Sequence, residues 1–335
     1  MADALNISRL LQDANWLAHR FDPEHDAFHF RRVDRAAHRK ATFITDEYLG
    51  AEPNPVVIRR TEAMAAAPAP APVHFIFHSA FCCSTLLARA FDIPGKAMGL
   101  KEPVIFNDIA GWHLRGADGR QVAAALDDGL RLLARPFETG EATIIKPSNL
   151  VNPLATAIMG MRPEACAVLL YAPLLIYLKS IAKKGIDGRL WVRELLVKQL
   201  RTGFVDLGFA DGDYLGLTDL QVAAVGWLAQ HALFGRMVAQ FGKRVMLVDS
   251  ETLLAQPSAT VSKAATLFGI VLRPNELDQI TTGPAFATNS KTGDAFSSVE
   301  RDAGYSVAAQ HHSDEIAKVC IWAEAVAKAA DVTID

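Results

Sequence analysis

Five short apolar runs, VHFIFH (73–78), AMGLKE (97–102), ATIIKP (142–147), CAVLLYA (166–172) and RVMLVD (244–249), constrain this chain more than any other feature. Such runs are too short for helices and are mostly rich in aliphatic or β-branched residues. Helical patterns such as LRLLARPF and WVRELLVKQL lie between them. Strands alternating with helices in this way predict an α/β fold whose largely parallel sheet is flanked by helices. In sheets of this kind ligands bind beyond the carboxyl ends of the strands. The segments to inspect are therefore 78–85, 101–103, 146–149, 171–180 and 249–253.

Composition sets the outer limits. Half of the 335 residues are apolar, 21% are charged and the formal net charge is -3. A chain of this length and polarity buries a full core, which excludes disorder and coiled coil. With so little net charge there is no long-range attraction for nucleic acid or an anionic membrane, so the expected partner is a small molecule. The four cysteines, two of them adjacent at Cys82 and Cys83, have neither the density of a disulfide framework nor the spacing of a zinc site. They read as reduced thiols of a cytoplasmic protein. No apolar run approaches the roughly 18 residues that span a bilayer. His311-His312, with no further ligand at recognisable spacing, reads as a solvated pair and not as a metal site. Nothing in the sequence speaks to the oligomeric state.

Along the chain, residues 5–21 place Ile7, Leu10, Leu11, Ala14, Leu17, Ala18 and Phe21 on one side of a helix. The stretch 26–50 opens with an alternation, Phe28 and Phe30 against His29 and Arg31, and gives way to a basic, helical segment. The run EAMAAAPAPAP (62–72) reads as an extended linker, because alternating proline denies both helix and ladder bonds. The expected organisation is an N-terminal accessory region (1–61), the linker (62–72) and the α/β domain (73–335).

Directly after the first of the five runs comes HSAFCCSTLLARAF (78–91), a strand end, a turn of mostly small residues, and Ser84-Thr85 opening an apolar helix. This is the layout of a phosphate-binding loop, in which backbone N–H groups and hydroxyls cradle an anion. The strict GxxxxGK[ST] form is absent, since the turn has neither Gly nor Lys. His78 ends the strand and is placed either toward this loop or in the core.

The segment resembles the 5′-phosphosulfate loop of the sulfotransferases, Pro-(Lys/Arg)-Ser-Gly-(Thr/Ser)-(Thr/Ser) followed by an apolar helix. Two further segments resemble that family in the same order. IIKPSNLVNPL (144–154) is similar to its strand ending Lys-Thr-His-Leu-Pro. VMLVDSETLLAQPSATVSKAATLFGIVL (245–272) is similar to its Tyr-Glu-Asp-Leu strand, Pro-led helix and Phe-Leu-Gly-Leu ending. The resemblance covers residues 73 to about 300 and implies a P-loop-like sheet binding 3′-phosphoadenosine 5′-phosphosulfate, without a metal. Its sulfuryl group would pass to a hydroxyl or amine acceptor.

By this resemblance Ala80, Phe81, Cys82, Cys83, Ser84 and Thr85 hold the donor. Phe81 stands where the family has its loop cation, and Cys83 where it has Gly, so Lys146 or Lys101 must supply the cation. Ser148 matches the family's histidine base, which leaves Glu102 as the base candidate. Lys179 and Ser180, after Tyr171-Ala172-Pro173, match the 3′-phosphate site without its Arg. Lys183 and Lys184 lie near it. Lys291, in NSKTGDAF (289–296), matches the loop that closes over that phosphate. Two other readings stay open, a P-loop phosphotransferase and a non-catalytic nucleotide-binding protein on the same fold, the latter favoured by Phe81 and Tyr171.

Overall fold

A computed structural model describes residues 7–288 and 298–334. Its centre is a five-stranded parallel sheet of β4 (Val73–His78), β5 (Ala97–Lys101), β6 (Ala142–Lys146), β7 (Ala167–Tyr171) and β8 (Val245–Asp249), in the order β5-β6-β4-β7-β8. These are the five runs read from the sequence, each within a residue or so. β4 through β7 are buried along their whole length, as strands covered by helices on both faces must be. The chain leaves β4 toward β5 and later crosses back to β7, so the order reverses at β4. The carboxyl end of β4 is thus the switch point of the sheet.

Helices cover the sheet: α5 (Ser84–Ala90), α6 (Val104–Leu114), α7 (Gly119–Leu133), α8 (Ala155–Met161), α9 (Leu174–Lys183), α10 (Gly185–Arg201), α11 (Asp219–Phe241), α12 (Ser250–Ala255), α13 (Pro257–Leu267), α14 (Pro274–Thr282), α15 (Pro284–Ala287) and α16 (Ser298–Ala329). Among the described residues no helix is long and apolar enough to cross a membrane.

The N-terminal part differs from the expected helix over 5–21. Only α1 (Ile7–Gln12) is helical, and β1 (Trp16–Asp22) follows. The turn chemistry decides: Asp13 Oδ1 accepts from both the backbone N–H and the side-chain amide of Asn15, at 2.9 and 2.7 Å. Leu17 and Phe21 satisfy a helical period and a two-residue period equally, so periodicity alone cannot separate them. β1 pairs antiparallel with β2 (Ala27–Arg32), the alternation read at Phe28 and Phe30, and β2 pairs with β3 (Val56–Arg59), which the sequence reading passed over. The basic segment is α2 (Arg35–Lys40), followed by α3 (Asp46–Leu49).

The linker is also revised. Residues 62–66 belong to α4 (Arg60–Ala66), since Glu, Ala and Met are good helix formers and the first proline comes only at Pro68. The remainder is extended and tied down, with Arg131 donating to the carbonyls of Ala67 and Pro68. Leu17, Phe21, Phe28, Phe30 and Ile58 share one apolar cluster with β4–β7. Across that contact Arg20 grips Asp108 of α6 through two hydrogen bonds of 2.7 and 2.8 Å.

Candidate active site

Three adjacent strands, β5, β6 and β4, end in Lys101, Lys146 and His78. A cavity of about 380 Å³ opens above two of these ends, and its walls include His78, Ala80 to Thr85, Glu102, Lys146, Asn149, Lys184 and Trp191. The structure thus brings together every loop residue read from the sequence and both catalytic candidates.

The loop is backbone under strain. Ala80, Phe81 and Cys83 have φ of 71°, 53° and 62°, and Glu102 on the facing strand end has 52°. Left-handed backbone costs a residue with a Cβ roughly 1–2 kcal/mol. Among the described residues only two other non-glycine positions, Asp26 and Asp331, have positive φ, so the strain is concentrated at the cavity. Cys83, at the family's Gly position, has the conformation that glycine adopts without penalty. The turn runs directly into Ser84 and Thr85, which are both buried and line the cavity.

Aromatic packing explains Phe81. Its ring meets Trp191 edge-on at 5.4 Å and Tyr177 at 6.0 Å, with Lys184 Nζ 5.8 Å from its centroid. Phe81 therefore fastens the loop to α9 and α10. Cys82 is buried, donates its thiol to the Leu170 carbonyl at 3.3 Å, and is pushed up in pKa by burial, which makes it a packing residue.

Lys146, only 1% exposed, donates to Glu102 Oε1, and Glu102 N–H in turn donates to the Lys146 carbonyl at 2.7 Å. A buried ammonium and a carboxylate are thus held as a pair by the ends of neighbouring strands. Removing either one strands the other's charge, a loss of about 3–5 kcal/mol for buried pairs. His78 lies beside them, 3.8 Å from Glu102 Oε1. Its Nδ1 accepts from Ala80 N–H and its Nε2 donates to the Pro147 carbonyl, both at 3.1 Å, so the ring is spent on shaping the loop.

Other expected residues lie elsewhere. Lys101 is buried away from the cavity and its Nζ donates to the carbonyls of His38, Arg39 and Ala41 at 2.7, 3.1 and 2.6 Å. Burial, then the charges of Arg89, Arg39 and Lys146, push it down to about 7, while the ring of carbonyls favours the ammonium form. Ser148 donates to Asn107 Oδ1 at 2.6 Å. Ser180 donates to the Ile176 carbonyl within α9 at 2.8 Å, and Lys179 contributes to the field at Cys320 of α16; neither lines the cavity. Lys291 lies outside the described residues.

The sequence reading missed Phe43, Asn149, Asp187 and Trp191 on the cavity wall. Asn149 sits three positions after Lys146, inside a segment already singled out, and its Nδ2 is buried without a partner. Trp191 and Asp187 are on a long helix with an ordinary amphipathic pattern, and Phe43 comes from the N-terminal part, so no motif marks them.

No protein-family model and no curated protein matches the sequence. Among solved structures, the chain is similar to a sulfotransferase domain of the curacin biosynthetic pathway, with 12% identity over 74% of this chain and 99% of that one and a TM-score of 0.42. A sulfotransferase from Mycobacterium avium shows 10% identity over 74% and 78%, TM-score 0.42. One from Alicyclobacillus acidocaldarius shows 15% over 63% and 90%, TM-score 0.35.

Proposed function

We propose that this chain is a cytoplasmic sulfotransferase that moves a sulfuryl group from 3′-phosphoadenosine 5′-phosphosulfate to a hydroxyl or amine of a small-molecule acceptor. One observation carries the reading: a strained, anion-cradling loop and a buried Lys146–Glu102 pair face each other across a single cavity at the sheet's switch point. The three sequence segments similar to sulfotransferases add donor class. Sulfuryl transfer needs an anion cradle, a cation at the departing oxygen and a base for the acceptor proton.

Each role has a residue. The amides of 81–85 with the hydroxyls of Ser84 and Thr85 hold the 5′-phosphate end, while the Ala80 amide stays on His78. Lys146 replaces the loop cation, standing toward the bridging oxygen in place of Phe81. The acceptor oxygen or nitrogen forms the new bond to sulfur, the bond from sulfur to the bridging oxygen breaks, and that oxygen keeps the electron pair. Glu102 takes the acceptor proton once the donor's negative charge draws Lys146 away from it. Lys184, on the cavity wall, takes the 3′-phosphate role that the motif match gave to Lys179 and Ser180.

A thermal-shift panel tests donor class. Adenosine 3′,5′-bisphosphate at about 100 times its dissociation constant adds about 2.7 kcal/mol of stability. A shift with ATP and Mg²⁺ but none with the bisphosphate overturns the proposal in favour of phosphoryl transfer. Phe81 favours a second reading, a non-catalytic nucleotide-binding protein. Binding of the bisphosphate without transfer to any acceptor, with slow donor hydrolysis appearing in Phe81→Lys, decides for it.

A further inference from the structure

Lys101 and Lys146 are register partners on β5 and β6, which places their side chains on the same face of the sheet. Above both runs one segment of the N-terminal part. Ile44 N–H donates to the Lys101 carbonyl at 2.7 Å and Val104 N–H donates to the Ile44 carbonyl at 3.1 Å, so residues 41–45 lie along the end of β5. Ile44 is fully buried and anchors that contact. Lys101 spends all three of its N–H donors on carbonyls at the end of α2 and the start of this segment, at His38, Arg39 and Ala41. Next to this clasp, the ring of Phe43 stands over Lys146 Nζ at 5.0 Å.

We infer that the N-terminal part completes the catalytic site: Phe43 is the cover of the Lys146–Glu102 pair, and Lys101 is the positioning residue that holds the cover down. An aromatic face over a buried ammonium supplies attraction without competing for its protons, and it keeps water off the pair. The pair therefore meets ligand from the loop side only. Two lysines that look equivalent at adjacent strand ends thus have opposite duties, one facing the chemistry and one fastening its cover. The catalytic consequence rests on the sulfotransferase reading; the cover itself does not.

The test separates the two. In the full-length protein, trinitrophenylation of the Lys146 amine by trinitrobenzenesulfonate, in which the amine nitrogen bonds to the ring carbon and sulfite leaves, followed by peptide mass spectrometry, reports access to that amine whatever reaction the protein performs. Wild type and Phe43→Tyr should label slowly. Phe43→Ala should label Lys146 roughly tenfold faster, the weight of a desolvated cation–π cover, with the exposed Lys198 unchanged. Lys101→Met should do the same from outside the cavity; if that variant does not fold, the Phe43→Ala and Phe43→Tyr pair decides alone. Unchanged Lys146 labelling in Phe43→Ala, or a rise shared by all lysines, overturns the inference. If the bisphosphate does not bind, the sulfotransferase reading fails while the labelling result stands. If it does bind, Phe43→Ala should lower kcat about tenfold with bisphosphate affinity preserved, and Phe43→Tyr should restore it.

Discussion

The two halves of the parallel sheet spend their polar groups differently. At the ends of β4, β5 and β6 the backbone is strained at four residues, a buried lysine is paired with a carboxylate, and an open cavity lies above them. At the ends of β7 and β8 the polar groups are consumed locally. Asp249 caps α12 by accepting from Glu251 and Thr252 N–H at 2.9 and 2.8 Å. Trp227 donates to the Ala172 carbonyl at 2.8 Å, stacks on His231 at 3.6 Å, and His231 meets Tyr171 edge-on at 4.6 Å. One half carries strained backbone and a buried ion pair beside a cavity, and the other is closed by packing. Strain and buried charge persist only where the surroundings enforce them, and their one-sided distribution is what the proposed function rests on.

The strongest way to break this comparison is Glu102→Gln. Loss of the base should cut turnover by roughly 10² to 10⁴ and leave bisphosphate affinity within a few fold, as measured by a transfer assay beside calorimetry. Equal losses in both would make Glu102 a structural partner of Lys146 and remove the chemistry from this half.

The packing half has its own test. Burial pushes His231 down to about 3, and His74, at the amino-terminal start of β4 and therefore far from the cavity, down to about 4. Both are neutral in the folded protein, whereas in the unfolded chain they take up a proton near pH 6.5. The unfolded state therefore binds more protons below that pH. The stability contribution is complete above about 6.5 and is lost as pH falls toward 4. At 1.36 kcal/mol per pKa unit, each group costs about 2 kcal/mol at pH 5 relative to neutrality. Urea unfolding at pH 7 and pH 5 should show that loss, and His231→Phe, which keeps the ring stack, should remove its share while bisphosphate binding at pH 7 stays unchanged.

A smaller effect is expected at the loop. Cys83→Gly relieves left-handed strain but adds unfolded-state entropy, so the two terms nearly cancel, and stability should change by no more than about 1 kcal/mol. Cys83→Val, β-branched at the same φ, should destabilise by more. If Val is tolerated as well as Gly, the loop is not strained and the asymmetry between the halves weakens.

How much of this was legible in the sequence follows from the kind of signal. All five parallel strands were readable as short apolar runs, four of them because a strand buried along its whole length needs such a run, although β8 is only partly buried; the loop was readable because strand, small-residue turn and helix are contiguous. β1 was misread because Leu17 and Phe21 satisfy both periods and the deciding turn rests on one residue pair, Asp13 and Asn15. Lys101 and Lys146 end similar runs, and only the segment 38–44 packed above them tells the two apart. Phe43 carries no motif at all; it reaches the site through tertiary packing that no local pattern encodes.

The smallest effect is expected where a motif match and the geometry disagree. Lys179 and Ser180 follow β7 at the spacing that the sulfotransferases use for the 3′-phosphate, yet both lie off the cavity wall while Lys184, one helical turn further on, is on it. Lys179 is half-buried off the cavity and Ser180 is buried with its hydroxyl on the Ile176 carbonyl, so neither is placed to meet a ligand in the cavity. Lys179→Ala and Ser180→Ala should therefore change bisphosphate affinity by no more than about twofold. Lys184→Ala should weaken it roughly five- to tenfold, because an ammonium on the cavity wall loses a charge-assisted bond to phosphate. Calorimetry at two salt concentrations makes the distinction firmer: the Lys184 effect should shrink as ionic strength rises and the other two should stay flat. A large, salt-sensitive loss at Lys179 would show that the packing half also handles ligand, with the phosphate lying over β7 instead of over the loop.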